Sequence, residues 1–137
     1  MRKSVVQRRN SDNTSMNHYK LVQPEHLNHY GYLHGGHLLQ WVDEIGYIAA
    51  NLEFPGHEFV TVGLDNVAFR KSIRLGSILE FRTEINALGN TSVAYHVTVF
   101  CEDRETGAIE EVFQTNITYV SIDKAGKKKP IAKARPG

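Results

Sequence analysis

The acid best placed to do chemistry in this sequence is Asp43, which lies in a stretch of helical periodicity. At about 100° per residue, its neighbours on the helix surface are Leu39, Gly46 and Ala50, all apolar or small. A carboxylate in such surroundings is partly desolvated, which favours its use as a general base. The next residue, Glu44, lies on a polar flank and is predicted to be a solvated surface acid. The pattern therefore indicates one reactive carboxylate rather than two.

Two glycines, Gly35 and Gly36, come directly before this helical stretch. The first N–H groups of a helix have no partner inside the helix and lie at the positive end of its dipole. Because neither glycine has a side chain to block the approach, a carbonyl oxygen can reach those N–H groups, as in an oxyanion hole. Asn28 can donate and accept hydrogen bonds and could hold a water molecule or the same carbonyl. The plainer alternatives are a tight turn for the glycines and a loop-forming role for Asn28.

Three histidines, His29, His34 and His37, surround these glycines. Their spacing suggests a metal site, but no acidic ligand is placed to complete one, so we predict that no metal is bound. We expect His34 instead to line a pocket beside Gly35 and Gly36.

The elements that must position these residues are one strand, one helix and four further strands. The helix is predicted from about His37 to between Asn51 and Phe54, because Pro55 and Gly56 follow at once. Alternation with a period of two predicts strands at residues 19–22, 60–69, 79–87, 93–99 and 113–119. The apolar face of the helix comprises Leu38, Val42, Ile45, Ala49 and Leu52, widened by Trp41 and Ile48. Only a sheet can cover that face, so we predict an α+β fold in which about five antiparallel strands wrap around one long helix.

Length and composition limit the function. The 137 residues suit one domain, which we place at residues 16–123, between a disordered basic leader at 1–15 and a basic tail at 124–137. A net charge of +1 gives no reason to expect a nucleic-acid partner, and the one cysteine, Cys101, excludes an internal disulfide. No apolar run approaches the roughly 20 residues needed to cross a bilayer. We therefore expect a cytoplasmic protein without a membrane partner.

The segment from Asn28 to Asp43, NHYGYLHGGHLLQWVD, resembles the segment that opens the central helix in hotdog-fold acyl-CoA thioesterases, the cytosolic acyl-CoA thioester hydrolases among them. The shared pattern is an asparagine, a glycine after two residues, Gly-Gly after three more, and an acid within the helix. Residues 67–76 are similar to that family's aromatic-then-basic strand with its turn glycine, and residues 89–92 to its glycine-to-serine hairpin. The resemblance covers about residues 16–130. His34, Ser72 and Ser77 depart from the family's usual pattern, which leaves the acyl chain undefined.

The resemblance implies a hotdog fold and the hydrolysis of acyl-CoA to a carboxylic acid and coenzyme A. It also implies that Asp43 is the general base or the nucleophile, that Asn28 belongs to the site, and that Ser92 contacts the coenzyme A arm. No resident cofactor is expected, because coenzyme A is part of the substrate and of the product.

Basic residues follow two of the predicted strands. Arg70, Lys71 and Arg74 come after one strand, and Lys127 and Lys128 come after the last. These cations could hold the phosphates of coenzyme A, or they could form a solvated edge that discourages aggregation. The sequence leaves both interpretations open.

Two other functions fit the same fold. A hydratase or dehydratase acting on enoyl-CoA would use a histidine–acid pair, whereas Asn28 with Asp43 fits hydrolysis better. A non-catalytic acyl-CoA-binding protein would normally need an output domain.

The free edges of the sheet predict self-association, at least as a dimer, and the sequence does not decide between a tetramer and a hexamer. One helix on one sheet leaves no deep cleft, so we predict that each site takes Asn28 and Asp43 from different chains.

Overall fold

The computed structural model describes residues 15–131, which form one α-helix and five strands. The elements are β1 (Ser15–Leu21), α1 (Gly35–Glu53), β2 (Glu58–Phe69), β3 (Ile78–Leu88), β4 (Ser92–Glu102) and β5 (Ile109–Ile122). A short 3-10 turn at Pro24–His26 follows β1. The predicted order of elements is confirmed, and most elements extend beyond their predicted bounds. The predicted leader lies outside the described residues except for Ser15, which begins β1.

The strands form a single antiparallel sheet in the order β1-β3-β4-β5-β2. The β3–β4 connection is the predicted hairpin, in which the Gly89 N–H donates to the Ser92 carbonyl at 2.8 Å. The burial of residues along the central strand β4 explains the alternation of apolar and polar residues in its sequence. Its residues Val93, Tyr95, Val97 and Val99 are buried, while the residues between them are half-buried on the opposite face.

Helix α1 packs one face against this sheet. Its buried residues are Leu38, Trp41, Val42, Ile45, Gly46, Ala49 and Ala50. Ile48 and Leu52, which were predicted to belong to the buried face, are 37% and 57% exposed, so that part of the prediction is wrong. The small residues Gly46 and Ala50 lie against the sheet instead, and this turns the larger side chains outward. Within residues 15–131, no helix is both long and apolar enough to span a membrane.

Strand β2 is one edge of the sheet, because it pairs with β5 on one side only. Apart from the buried Phe59, its large apolar side chains are exposed, from Leu64 at 37% to Val62 at 57%. The pairing with β5 shifts register twice, between Thr61 and Gly63 and between Asp65 and Ala68. Bulges of this kind bend a strand and re-aim its side chains. A long apolar edge of this kind normally has to be covered or paired.

Candidate active site

Asp43 lies in the third turn of α1, where two strands supply its hydrogen-bond donors. The Thr61 hydroxyl, from β2, donates to Asp43 Oδ1 at 2.7 Å. The Tyr119 hydroxyl, from β5, lies 3.2 Å from the same oxygen and 2.8 Å from the Asp43 backbone carbonyl. Asp43 Oδ2 has no donor among residues 15–131. One carboxylate oxygen is therefore held in place, and the other is free to accept a proton or to attack an electrophile.

The Tyr119 hydroxyl donates to Asp43 in its protonated form. The residue is fully buried, and burial raises the pKa of its hydroxyl far above the usual range, an effect to which the neighbouring negative charge of Asp43 adds. The phenol therefore stays protonated at any ordinary pH. Glu44, the next acid along α1, is exposed and lies 3.8 Å from the Lys20 ammonium.

Thr61 and Tyr119 were not predicted as site residues. Thr61 was part of the predicted strand at residues 60–69, and Tyr119 was counted with the alternating apolar residues of the last strand. One signal could have identified Tyr119, because a tyrosine on a buried face needs a hydrogen-bond partner for its hydroxyl. No comparable signal marks Thr61, whose role depends on how far β2 bends toward α1.

The start of α1 is capped by His34. Its Nδ1 accepts a hydrogen bond from the Gly36 N–H at 2.8 Å. A side chain at Gly36 would collide with this imidazole, because a Cβ would lie 2.8 Å from the ring. The Gly36 N–H is thus already used, and the Gly35 N–H is the one without a partner among the described residues. His34 itself is exposed and caps the helix, so it does not line the groove beside it.

Asn28 uses its side-chain oxygen for a structural task, which leaves its NH2 group available. Its Oδ1 accepts the N–H groups of Tyr30 and Tyr32 at 2.9 and 3.1 Å, which closes the loop before α1. Its side-chain nitrogen has no acceptor among residues 15–131. Asn28 lines an open groove of about 590 Å³ together with Gly35 and Phe69. The amide nitrogen and the Gly35 N–H are therefore two donors available at the same groove.

The three predicted phosphate-binding cations that follow β2 differ in whether they form ion pairs. Arg70 pairs with Glu111 at 3.0 Å, and Lys71 pairs with Glu110. Arg74 has no ion-pair partner within residues 15–131. It lines a second groove, of about 1110 Å³, between the β2–β3 loop and the β4–β5 hairpin. Arg74 is therefore the least compensated of the three cations.

The remaining predicted binding residues lie at the opposite end of the sheet. Ser92 pairs with Val120 near the end of β5, whereas the Arg70 N–H donates to Val112 near its start. Eight residues of strand separate these points, a distance of about 26 Å. Lys127 and Lys128 lie at the Ser92 end, in a turn that returns from β5 toward the β3–β4 hairpin. Within one chain the two groups of cations cannot hold the same phosphates.

The predicted catalytic residues are also separated. Gly35 and Asp43 are eight residues apart on α1, which is about 12 Å along the helix axis. Asn28 lies with Gly35, and neither of the two grooves is lined by Asp43. Within residues 15–131, no group of three or more histidine, cysteine or acidic side chains is arranged to hold a metal ion. One chain thus supplies a carboxylate and a pair of donors, but not at one reaction centre.

Comparison with known proteins identifies the class to which this fold and site belong. The family model for the thioesterase superfamily matches residues 30–108, which is more than half of the chain. One similar solved structure is a hexameric hotdog-fold thioesterase of Campylobacter jejuni, 30% identical, with a TM-score of 0.76, covering 84% of this chain and 88% of that one. A single helix wrapped by this sheet, with a carboxylate at mid-helix, is thus a hotdog-fold thioesterase. The chain belongs to the thioesterase superfamily.

Two further relatives are similar over most of the chain. The protein VdlD of Helicobacter pylori is 32% identical over 126 residues, covering 92% of this chain and 71% of that protein. An acyl-CoA hydrolase of Staphylococcus aureus, solved with butyryl coenzyme A, coenzyme A and coenzyme A disulfide, is 28% identical. The match covers 90% of this chain and 74% of that one, with a TM-score of 0.80. Solved variants of that enzyme have an aspartate, an asparagine or a threonine replaced by alanine.

Proposed function

We propose that this protein hydrolyses acyl-CoA to a carboxylic acid and free coenzyme A, in a site shared by two chains. The main support for this proposal is the hydrogen bonding of the Asp43 carboxylate. Its Oδ1 accepts hydrogen bonds from Thr61 and Tyr119, and Oδ2 has no donor among residues 15–131. The residue types replaced in the Staphylococcus aureus enzyme, an aspartate, an asparagine and a threonine, are the types found here as Asp43, Asn28 and Thr61.

Asp43 could take part in the hydrolysis in two ways. In the first, Oδ2 takes a proton from a water molecule, and the resulting hydroxide adds to the thioester carbon. In the second, Oδ2 adds to that carbon itself and forms a mixed anhydride, which water then cleaves. In both, the C–S bond breaks and the thiolate of coenzyme A leaves. The thiolate takes its proton from Asp43 in the first mechanism and from water in the second. The Gly35 N–H and the Asn28 amide would stabilise the negative charge on the carbonyl oxygen.

A second copy of the chain supplies the missing half of each site. A carbonyl group must lie within about 3 Å of its oxyanion donors, so groups some 12 Å apart along one helix cannot both reach it. The free edge of β2 and the exposed Ile48 and Leu52 on α1 offer an apolar surface for the partner. We propose a two-fold dimer as the catalytic unit. Three such dimers would give the hexamer found in the Campylobacter jejuni relative.

Antiparallel pairing of two β2 strands also accounts for the divided set of cations. The Phe69 end of one β2 would lie beside the Glu58 end of the other. The Arg70 and Arg74 end of one chain would then face the Ser92 and Lys127 end of its partner. Coenzyme A phosphates bound between chains would meet both groups.

The test is a panel of acyl-CoA thioesters of increasing chain length, with released thiol as the measurement and a metal chelator present throughout. We expect free coenzyme A to appear with at least one substrate. The Asp43→Asn variant, purified identically, controls for a contaminating thioesterase. Addition of water to an enoyl-CoA without thiol release would favour a hydratase instead. Binding of acyl-CoA without any turnover would favour a non-catalytic binding protein.

A further inference from the structure

The hydroxyl of Tyr119 contacts Asp43 at two points. It lies 2.8 Å from the backbone carbonyl and 3.2 Å from Oδ1 of the same residue. One hydroxyl thus links the carboxylate to the helix turn that carries it. This contact restricts rotation of the Asp43 side chain relative to α1.

We propose that Tyr119 is a positioning residue, which holds Asp43 Oδ1 against α1 so that Oδ2 faces the thioester. The inference rests on the proposed catalytic role of Asp43 and adds a residue that acts through it. Tyr119 itself lies behind the carboxylate and does not touch the substrate.

Thr61 alone is poorly suited to this task. It is exposed on the edge strand β2, directly before a register shift. Tyr119 is fully buried on β5, which is paired on both sides by β4 and β2. A buried side chain on an interior strand is held more rigidly than one on a bulged edge. The rigid donor is therefore Tyr119.

Gly46 provides the space that this contact requires. A Cβ at Gly46 would lie 2.4 Å from the Tyr119 hydroxyl and 3.1 Å from its ring. Glycine inside a helix is unfavourable relative to alanine, so its presence in the middle of α1 needs a reason. The position of the Tyr119 hydroxyl is that reason.

Tyr95 offers a matched control within the same sheet. It is buried on the neighbouring strand β4 and donates to a carboxylate of α1, that of Glu53, at 2.9 Å. Burial raises its pKa as it does for Tyr119. The two tyrosine rings are 6.3 Å apart, and the ring of Tyr47 lies 6.4 Å from that of Tyr119. Tyr95 differs in the one respect that matters, because it does not contact Asp43.

The decisive experiment compares Tyr119→Phe with Tyr95→Phe. Each change removes a buried hydroxyl that donates to a carboxylate, but only Tyr119→Phe should alter catalysis. For Tyr119→Phe we expect kcat to fall about tenfold with KM within about twofold, because the carboxylate loses the contact that fixes its orientation for reaction. Identical kcat and KM values for the two variants would overturn the proposal.

Two double variants complete the test. Adding Tyr119→Phe to Asp43→Asn should cause no further loss of kcat, because Tyr119 acts through Asp43. Gly46→Ala should lower kcat in the wild-type background and have a smaller effect once Tyr119→Phe has removed the hydroxyl. Equal losses in both backgrounds would contradict the role of Gly46.

The outcome also separates the two proposals. If Asp43→Asn keeps wild-type activity, the proposed function of Asp43 fails. If Asp43→Asn is inactive while Tyr119→Phe matches Tyr95→Phe, only the positioning role fails.

Discussion

The two halves of the proposed site are built in different ways. Around Asp43, the chain supplies its own donors from two strands, and one of these donors is fully buried. At the start of α1, the groove is open, and Asn28 Oδ1 and the Gly36 N–H are already occupied by the loop and by the helix cap. The carboxylate is thus fixed within each chain, whereas the carbonyl-binding half is left incomplete.

This difference separates what one chain can organise from what requires two. A base needs its orientation fixed before substrate arrives, and buried hydrogen bonds do that at no further cost during the reaction. A groove that must admit a long acyl-CoA cannot be closed by the same subunit. We therefore expect changes at the base to affect chemistry, and changes at the groove to affect binding or to act across the dimer.

The largest effect should come from removing the base. Asp43→Asn keeps the size of the side chain and its contacts to Thr61 and Tyr119, but it removes the charge. We expect kcat to fall by about 10² or more while the fold is retained, as measured by released thiol and circular dichroism. Glu44→Gln is the matched control, because Glu44 is exposed beside Lys20, and its kcat should change by less than about threefold. The opposite ranking would show that the catalytic acid has been misassigned.

The next effect tests whether the two halves belong to different chains. Asn28→Ala and Asp43→Asn should each be poor enzymes alone. When they are unfolded and refolded together in equal amounts, about half of the dimers should be mixed. Each mixed dimer has one site with both residues intact, so activity should recover to about a quarter of that of the wild type. Wild-type protein must regain its activity in the same protocol. A mixture that stays as inactive as its components would place both residues in one chain.

The element order and the position of Asp43 on α1 could be predicted from the sequence, because alternation and helical periodicity are local patterns. The partners of Asp43 could not, since Thr61 and Tyr119 are 18 and 76 residues away and meet it only when the sheet wraps the helix. His34 illustrates the same limit. The sequence did not indicate that the His34 ring caps α1, because this contact depends on the local backbone. The exposure of Ile48 and Leu52 was also not predictable, because it depends on how closely Gly46 packs against β5.

Within the Asp43 half, Thr61 should matter less than the base. Thr61→Val removes one donor to Oδ1 and keeps the shape of the side chain, so we expect kcat to fall about fivefold with little change in KM. Thr61→Ser keeps the hydroxyl and should recover most of the activity. If valine and serine behave alike, the strand position of Thr61 is important and its hydrogen bond is not.

Substitutions near the groove at the start of α1 should change mainly KM. Arg74 has no ion-pair partner among the described residues, whereas Arg70 is paired with Glu111. Arg74→Gln should therefore raise KM for acyl-CoA about threefold, more than Arg70→Gln, because a paired cation attracts phosphate less. Added salt should raise the wild-type KM and have less effect on the Arg74 variant. A KM insensitive to both changes would favour the alternative that these cations form a solvated edge.

The smallest effect is on stability at high pH, and it depends on Tyr95 and Tyr119. Burial raises both pKa values in the folded protein, whereas in the unfolded chain each hydroxyl titrates near the ordinary value of 10.0. Below that pH both states keep their protons, and stability does not depend on these groups. Above it the unfolded chain releases protons that the folded protein retains, so the free energy of unfolding falls as pH rises, by at most about 1.4 kcal/mol per pH unit for each tyrosine. Tyr119→Phe removes one of the two groups and should reduce that slope by about half, as measured by urea unfolding at a series of pH values. Tyr30→Phe, at an exposed position, should leave the slope unchanged, and an equal reduction in both variants would contradict the assignment to buried tyrosines.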